Sequence, residues 1–208
     1  MQYDICCLGS ALVDLTFKID DDFTKKNEKR GIVKGGMTLI EKNDQNDLIQ
    51  ELKDTGKFPE QACGGSATNS IVAAALFGSD CYMSCIVAND ENGEFYLKDL
   101  STNGVGHSSE LNPSQMPSGQ CLVMISGDAE RTMCTNLGIN SEISSKNIHE
   151  EVIKNSNYLL LEGYLLASPG GYEAFKKAVE FAKEHNTKVA LSLSDTFKIF
   201  SSAVFKSF

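Results

Sequence analysis

Ala62-Cys63-Gly64-Gly65-Ser66-Ala67-Thr68-Asn69 runs directly into an apolar segment, Ile71 to Phe77. The paired glycines let backbone approach a bound group closely. Ser66 or Thr68 is placed to cap a helix beginning there. Such a helix aims its free N–H groups, and the Asn69 amide, at something polar. Because the run beyond is apolar on nearly every side, the helix is predicted to be buried. A polar cluster at the mouth of a buried helix points to a binding site.

Working outward, Tyr3–Leu8 reads as a short strand closed by Gly9-Ser10, and residues 11–19 continue with alternation from Val13. Asp14 interrupts that segment with a carboxylate. Residues 20–34 are polar and charged, Gly35-Gly36 precedes Met37-Thr38-Leu39, and residues 43–54 form a surface helix facing inward through Leu48, Ile49 and Leu52. Cys81–Val87 is a predicted buried strand, and Phe95, Leu97 and Leu100 mark a helix. Residues 101–119 are mostly loop, being rich in glycine and carrying Pro113 and Pro117. Gln120–Ser126 is a strand, turned through Gly127-Asp128-Ala129-Glu130 into Arg131-Thr132-Met133. Tyr158–Leu161 is a strand ending at Glu162-Gly163. Ser168-Pro169 opens a helix, and Val189–Leu193 is a strand ending at Ser194-Asp195. Strands alternating with long helices predict an α/β fold on a largely parallel sheet. The intervals 13–38 and 105–125 fit that sheet badly and are predicted to form small projecting strands.

The composition narrows the function. A net charge of −9 with one short basic cluster, Lys25-Lys26 and Lys29-Arg30, lacks a nucleic-acid footprint, so no nucleic-acid partner is expected. No apolar run reaches membrane-spanning length and no leader pattern opens the chain, so a cytoplasmic protein without membrane contact is expected. The seven cysteines, without a C-x-x-C, read as buried small hydrophobes in a reducing compartment. The three histidines lack ligand spacing, and no metal ligands are assigned.

Ligands of parallel sheets bind beyond the carboxyl ends of the strands. Asp14, Asn89-Asp90, Glu162 and Asp195 fall at such ends, and Asn69 joins them from the helix start. Together they make a ring suited to a polyhydroxylated ligand, since Asp14 accepts hydroxyl protons and Asn69 both donates and accepts. Arg131 offers a phosphate fork, with the Thr132 hydroxyl beside it. Met37, Leu39 and Met124 are candidates for an apolar wall, with core packing an equal explanation for each. Dinucleotide, P-loop and nucleophile-elbow motifs are absent from the sequence.

Gly9-Ser10-Ala11-Leu12-Val13-Asp14, Gly35-Gly36-Met37, Cys63 to Asn69, Asp90-Glu91-Asn92-Gly93, Arg131-Thr132-Met133, Asn136-Leu137-Gly138 and Glu162-Gly163-Tyr164 occur in the order found in one family. On these motifs the chain resembles the ribokinase-like (PfkB) sugar and nucleoside kinases, nearest their adenosine-kinase-like branch. The resemblance implies a three-layer α/β/α core over 1–12, 39–104 and 126–208, incomplete at its C-terminal side, with a β-sheet lid from 13–38 and 105–125. It implies acceptor binding by Asp14, Gly35, Gly36, Gly64, Gly65, Asn69, Met124 and Glu162, a phosphate contact by Arg131, and Asp195 on the nucleotide side. It also implies ATP and Mg2+ as cofactors, with the γ-phosphoryl passed to a primary hydroxyl of a small-molecule nucleoside or sugar.

The family's general-base aspartate lies in a G-A-G-D motif that these 208 residues do not contain. The sequence is therefore expected to continue past Phe208, and residues 1–208 alone are expected not to transfer phosphate. Adenosine or a similar nucleoside is the expected acceptor, with ribose or fructose as the alternative. An α/β oxidoreductase or hydrolase, and a binding protein that kept the pocket without catalysis, stay open as other readings. A homodimer through the lid is also expected to be possible, pairing edge strands at 13–19 and 120–126.

Overall fold

The computed structural model describes residues 3–107 and 109–193. In chain order its strands are β1 (Tyr3–Leu8), β2 (Leu12–Lys18), β3 (Met37–Leu39), β4 (Glu60–Gly64), β5 (Cys81–Ser84), β6 (Val87–Ala88), β7 (Val105–Gly106), β8 (Leu111–Asn112), β9 (Gly119–Ile125), β10 (Arg131–Asn136), β11 (Ser156–Glu162) and β12 (Lys188–Ser192). The α-helices are α1 (Asp21–Asn27), α2 (Lys42–Asp54), α3 (Ser66–Leu76), α4 (Glu91–Thr102), α5 (Glu150–Lys154) and α6 (Pro169–Glu184).

The first sheet has the order β12-β11-β1-β5-β7, and every pairing in it is parallel. Alternate residues of one strand reach opposite faces, so each apolar run serves two layers. Cys6 and Leu8 of β1 pack with Leu159, Leu161, Phe175 and Ala178 on the α6 side. Cys7 packs with Ile71, Met83, Tyr96 and Leu100 on the side of α3 and α4. The result is the expected three-layer α/β/α core. Ser168 caps α6 by accepting from the Gly171 N–H, with Pro169 in the first turn, as the Ser-Pro pair predicts.

The second sheet has the order β3-β10-β9-β2-β4. The β9–β10 hairpin, Arg131 opposite Ile125, holds the turn predicted at 127–130. The outer face of this sheet packs on α1, α2 and the segment after α1 through Phe17, Ile32, Leu48, Leu52, Leu122, Met124 and Cys134. Gln45 of α2 is wholly buried there, its amide donating to the Gln120 and Cys134 carbonyls at 2.9 Å each. The inner face turns toward the carboxyl ends of the first sheet.

The boundaries differ from those expected. Strands β4 and β10 fall in segments assigned to the core, yet they pair within the second sheet. Strand β7, assigned to the lid, pairs with β5 in the first. Short strands take their sheet from long-range partners, which local composition does not carry. The proposed dimer edges are corrected as well: β2 and β9 are interior strands, and β3 and β4 are the edges. Helix α3 is less buried than its apolarity predicts, with Ala67, Thr68 and Ile71 inside but Leu76 70% and Phe77 91% exposed. It lies on the sheet along one face only.

All seven cysteines are free thiols. Burial pushes Cys6, Cys81, Cys85 and Cys134 up to about 11 and Cys121 up to about 12, and raises Cys7 and Cys63 as well. No described helix is long and apolar enough to cross a membrane.

Candidate functional site

The chain crosses between the two sheets at Gly9–Ala11, between β1 and β2, and again at Gly65, between β4 and α3. A cavity of about 320 Å3 opens beside these crossings. Its polar end is lined by Ser10, Asp14, Gly65, Ser66, Asn69, Arg131 and Glu162. Leu12, Met37, Leu39, Met133, Leu137, Ile143 and Leu165 form an apolar wall, with Cys121, Thr135, Asn140, Ser141, Tyr164 and Ser168 completing the lining.

Asp14 is the third residue of β2, on its inner face. A Cβ on Gly64 would collide with the Asp14 carboxyl group, so the glycine is what makes room for it. Burial pushes Asp14 up to about 6, against the opposing pull of the Arg131 guanidinium. At neutral pH the cavity thus presents an anion short of hydration and of hydrogen-bond donors. A ligand hydroxyl supplies such a donor.

Gly65, rather than Ser66 or Thr68, occupies the N-cap of α3, with φ of +99°. Only glycine adopts that conformation without strain, and a Cβ would in addition meet the Ser10 carbonyl at 2.7 Å. The two hydroxyls that were candidate caps serve elsewhere. Ser66 donates to Glu162 Oε1, and Thr68 shares a 2.7 Å hydrogen bond with the Tyr96 hydroxyl in the core. Asn69, in the first turn of α3, is exposed at the cavity.

Glu162, at the end of β11, is 1% exposed. Its Oε2 accepts from the Ser10 N–H at 2.9 Å, and its Oε1 accepts from the Ser66 hydroxyl and, at 3.4 Å, from the Ala67 N–H.

Several predicted site residues lie elsewhere. Met124 is fully buried on the outer face of the second sheet, one residue out of phase with the inner-facing Cys121 and Val123 positions; Met133 takes the place it was predicted to fill. Gly35 and Gly36 form the turn before β3, where the Gly35 N–H donates to Thr132 Oγ1 at 3.0 Å, and neither lines the cavity. Thr132 is therefore turned away from any phosphate beside Arg131. Gly64 shapes the cavity through Asp14 without lining it. Asp90 caps α4, accepting from the Gly93 and Ser118 N–H groups at 2.8 Å each. Asp195 lies outside the described residues.

Sequence reasoning missed Asn140, Ser141 and Ile143, which sit on the 3-10 turn Gly138–Glu142 and just after it. Asn140 followed the Asn136-Leu137-Gly138 motif closely enough to have been considered. Among the described residues, Glu150, Glu184 and His185 group their ligand atoms within 4.8 Å of one another. They sit just before β11 and β12, at the end of the first sheet away from the cavity. That donor set does not fit a magnesium nucleotide serving the cavity.

The family model described as pfkB family carbohydrate kinase matches residues 24–204. Guanosine-inosine kinase of Escherichia coli (strain K12) is 29% identical over 198 residues, covering 92% of this chain and 45% of the relative. The crystal structure of adenosine kinase from Sinorhizobium meliloti superposes with a TM-score of 0.88 at 30% identity, over 96% of this chain and 59% of that one. A probable sugar kinase from Rhizobium etli CFN 42 gives the same TM-score and coverage at 26% identity. The chain thus spans about half the length of the curated relatives it matches. The family model spans most of the 208 residues, and on that match the chain belongs to the pfkB family of carbohydrate kinases.

Proposed function

We propose that the protein of which this chain is part transfers the γ-phosphate of ATP to the primary hydroxyl of a ribose-containing acceptor, adenosine or a similar nucleoside, held in the cavity between the two sheets. The observation that carries this reading is the convergence of Asp14 and Asn69 on one cavity that also has an apolar wall. Asp14 accepts from ribose hydroxyls, Asn69 donates and accepts beside it, and Gly65 lets the backbone come close. Met37, Leu39 and Met133 cover the flat face of a base. A volume of about 320 Å3 falls within the ~300–1,000 Å3 typical of small-molecule sites. A free pentose would leave the apolar wall unused. The similarity to an adenosine kinase and a guanosine-inosine kinase supports the same acceptor class.

Arg131, exposed at the rim, is the proposed phosphate contact, with its charge offset by Asp14 until an anion arrives. In this reading ATP and Mg2+ are bound outside the described residues, which account for the acceptor side of the reaction alone. Seven free thiols suit a reducing, cytoplasmic setting.

Calorimetry with adenosine, inosine, guanosine, ribose and fructose tests the proposal. Nucleosides binding at least tenfold more tightly than the free sugars is the expected result. Equal or tighter binding of ribose or fructose favours the sugar-kinase reading, and no binding of any of the five overturns both. Steady ATP-dependent phosphorylation by residues 1–208 alone would overturn the view that these residues account for the acceptor side alone.

A further inference from the structure

Three donors already converge on Glu162, and they come from two separate crossings of the chain. Ser10 belongs to the link between β1 and β2, four residues before Asp14. Ser66 and Ala67 open α3, three and two residues before Asn69. The two links are in contact: a Cβ on Gly9 would collide with that of Ala67, and one on Gly65 would meet the Ser10 carbonyl. The carboxylate lies across both links, one oxygen on each. A carboxylate is suited to this because it accepts on both oxygens, whereas an amide accepts on one.

We infer that Glu162 is a positioning residue, which fixes Asp14 relative to Asn69 instead of holding the acceptor itself. This departs from the ligand role that the family resemblance implies for it, and it rests on the acceptor reading of the cavity. With its oxygens engaged and 1% of its surface exposed, Glu162 acts on the ligand through the two residues it aligns. An anion bonded to backbone N–H groups makes stronger bonds than a neutral acceptor would. Losing it frees the β1–β2 link and the α3 N-terminus to move independently.

The test compares Glu162→Ala in the wild-type background and in an Asp14→Asn/Asn69→Ala background, with adenosine as the probe and affinity read by calorimetry or ligand competition. The positioning role predicts at least a tenfold loss in the wild-type background. It predicts a loss of no more than about twofold once Asp14 and Asn69 are gone, because coupled residues are non-additive. Amide exchange at Ser10 and Ala67 should quicken in the ligand-free variant. Glu162→Gln, which keeps the Ser10 bond and can satisfy Ser66 by reversing its hydroxyl, should recover most of the affinity. If the alanine variant does not fold, Glu162→Met, which keeps most of the side-chain volume but accepts from neither link, takes its place in the same comparison with the same expected losses.

A tenfold loss that persists in the double-variant background means direct ligand contact and overturns the inference. Unchanged affinity despite faster exchange also overturns it, leaving a bond that only stabilises the fold. Wild-type protein that binds neither nucleosides nor sugars defeats the acceptor reading and the positioning role with it. Intact wild-type binding combined with either result above defeats the positioning role alone.

Discussion

Asn140 holds Ala11 by both of its backbone groups, accepting from the N–H at 2.8 Å and donating to the C=O at 2.8 Å. The side-chain amide thus replaces the strand partner that Ala11 lacks where the chain leaves one sheet for the other. Both residues are buried, so water cannot take over these bonds. Asn140→Ala leaves a donor and an acceptor unpaired and should lower stability by about 2–4 kcal/mol. Urea denaturation measures this. Asn140→Asp keeps the bond from the Ala11 N–H but faces the Ala11 carbonyl with a second acceptor. It should be most damaging at neutral pH and should recover as the new carboxyl is protonated.

Asp14 carries the opposite signature, a cost to folding. Its carboxyl is pushed up to about 6 by burial, from the usual 3.8. An acid whose pKa is raised on folding penalises the native state once ionised, so the penalty is absent below the unfolded value and complete above about pH 6. Stability of the ligand-free protein should therefore fall as pH rises through that window. Asp14→Asn should raise stability at pH 7.5 by on the order of 1–2 kcal/mol while weakening adenosine at least tenfold. Thermal melts with and without ligand check both halves.

Acceptor affinity should share that window. The ionised carboxylate accepts from ligand hydroxyls, so wild-type affinity should decline as pH drops below about 6. Asp14→Asn should flatten the profile. Calorimetry between pH 5 and 8 reads both.

Gly64→Ala and Gly65→Ala are neighbouring changes with separate mechanisms. At Gly64 the added methyl strikes the Asp14 carboxyl group, so affinity should suffer most. At Gly65 the added methyl imposes a left-handed conformation on alanine and crowds Ser10, so stability should suffer most, by about 1–3 kcal/mol. Paired melting and binding measurements distinguish the two.

Asp90 matches the family motif yet serves the fold. Burial opposes its ionisation, but hydrogen bonds from Ser118 and Gly93 and the charge of Lys42 prevail and hold it below the usual carboxylate range. Its contribution to stability is present at neutral pH and fades as pH falls through its lowered value. Asp90→Ala should cost about 1–2 kcal/mol at pH 7 and leave adenosine affinity within about twofold of wild type.

Much of the core was legible because parallel strands announce themselves as apolar runs, as in Ile5-Cys6-Cys7-Leu8 and Tyr158-Leu159-Leu160-Leu161, and because Ser168-Pro169 marks a helix start by local chemistry alone. The second sheet was harder. Alternation shows that Met124 and Met133 lie on opposite faces of a hairpin only once the register is known, and register is a property of two strands together. Asp14 was legible as a carboxylate out of place in an apolar strand. Asn140 was not, because a polar residue on a turn looks the same whether it faces water or bridges a buried peptide.

The thiols give the molecule an internal clock. Because six of the seven are buried and held largely protonated, alkylating reagents must wait for the structure around those six to breathe. Labelling rates at Cys6 and Cys7 would time the parting of the main layers. Cys121, whose sulfur borders the cavity, would time the separation of the small sheet from the large one, and a bound ligand should slow it.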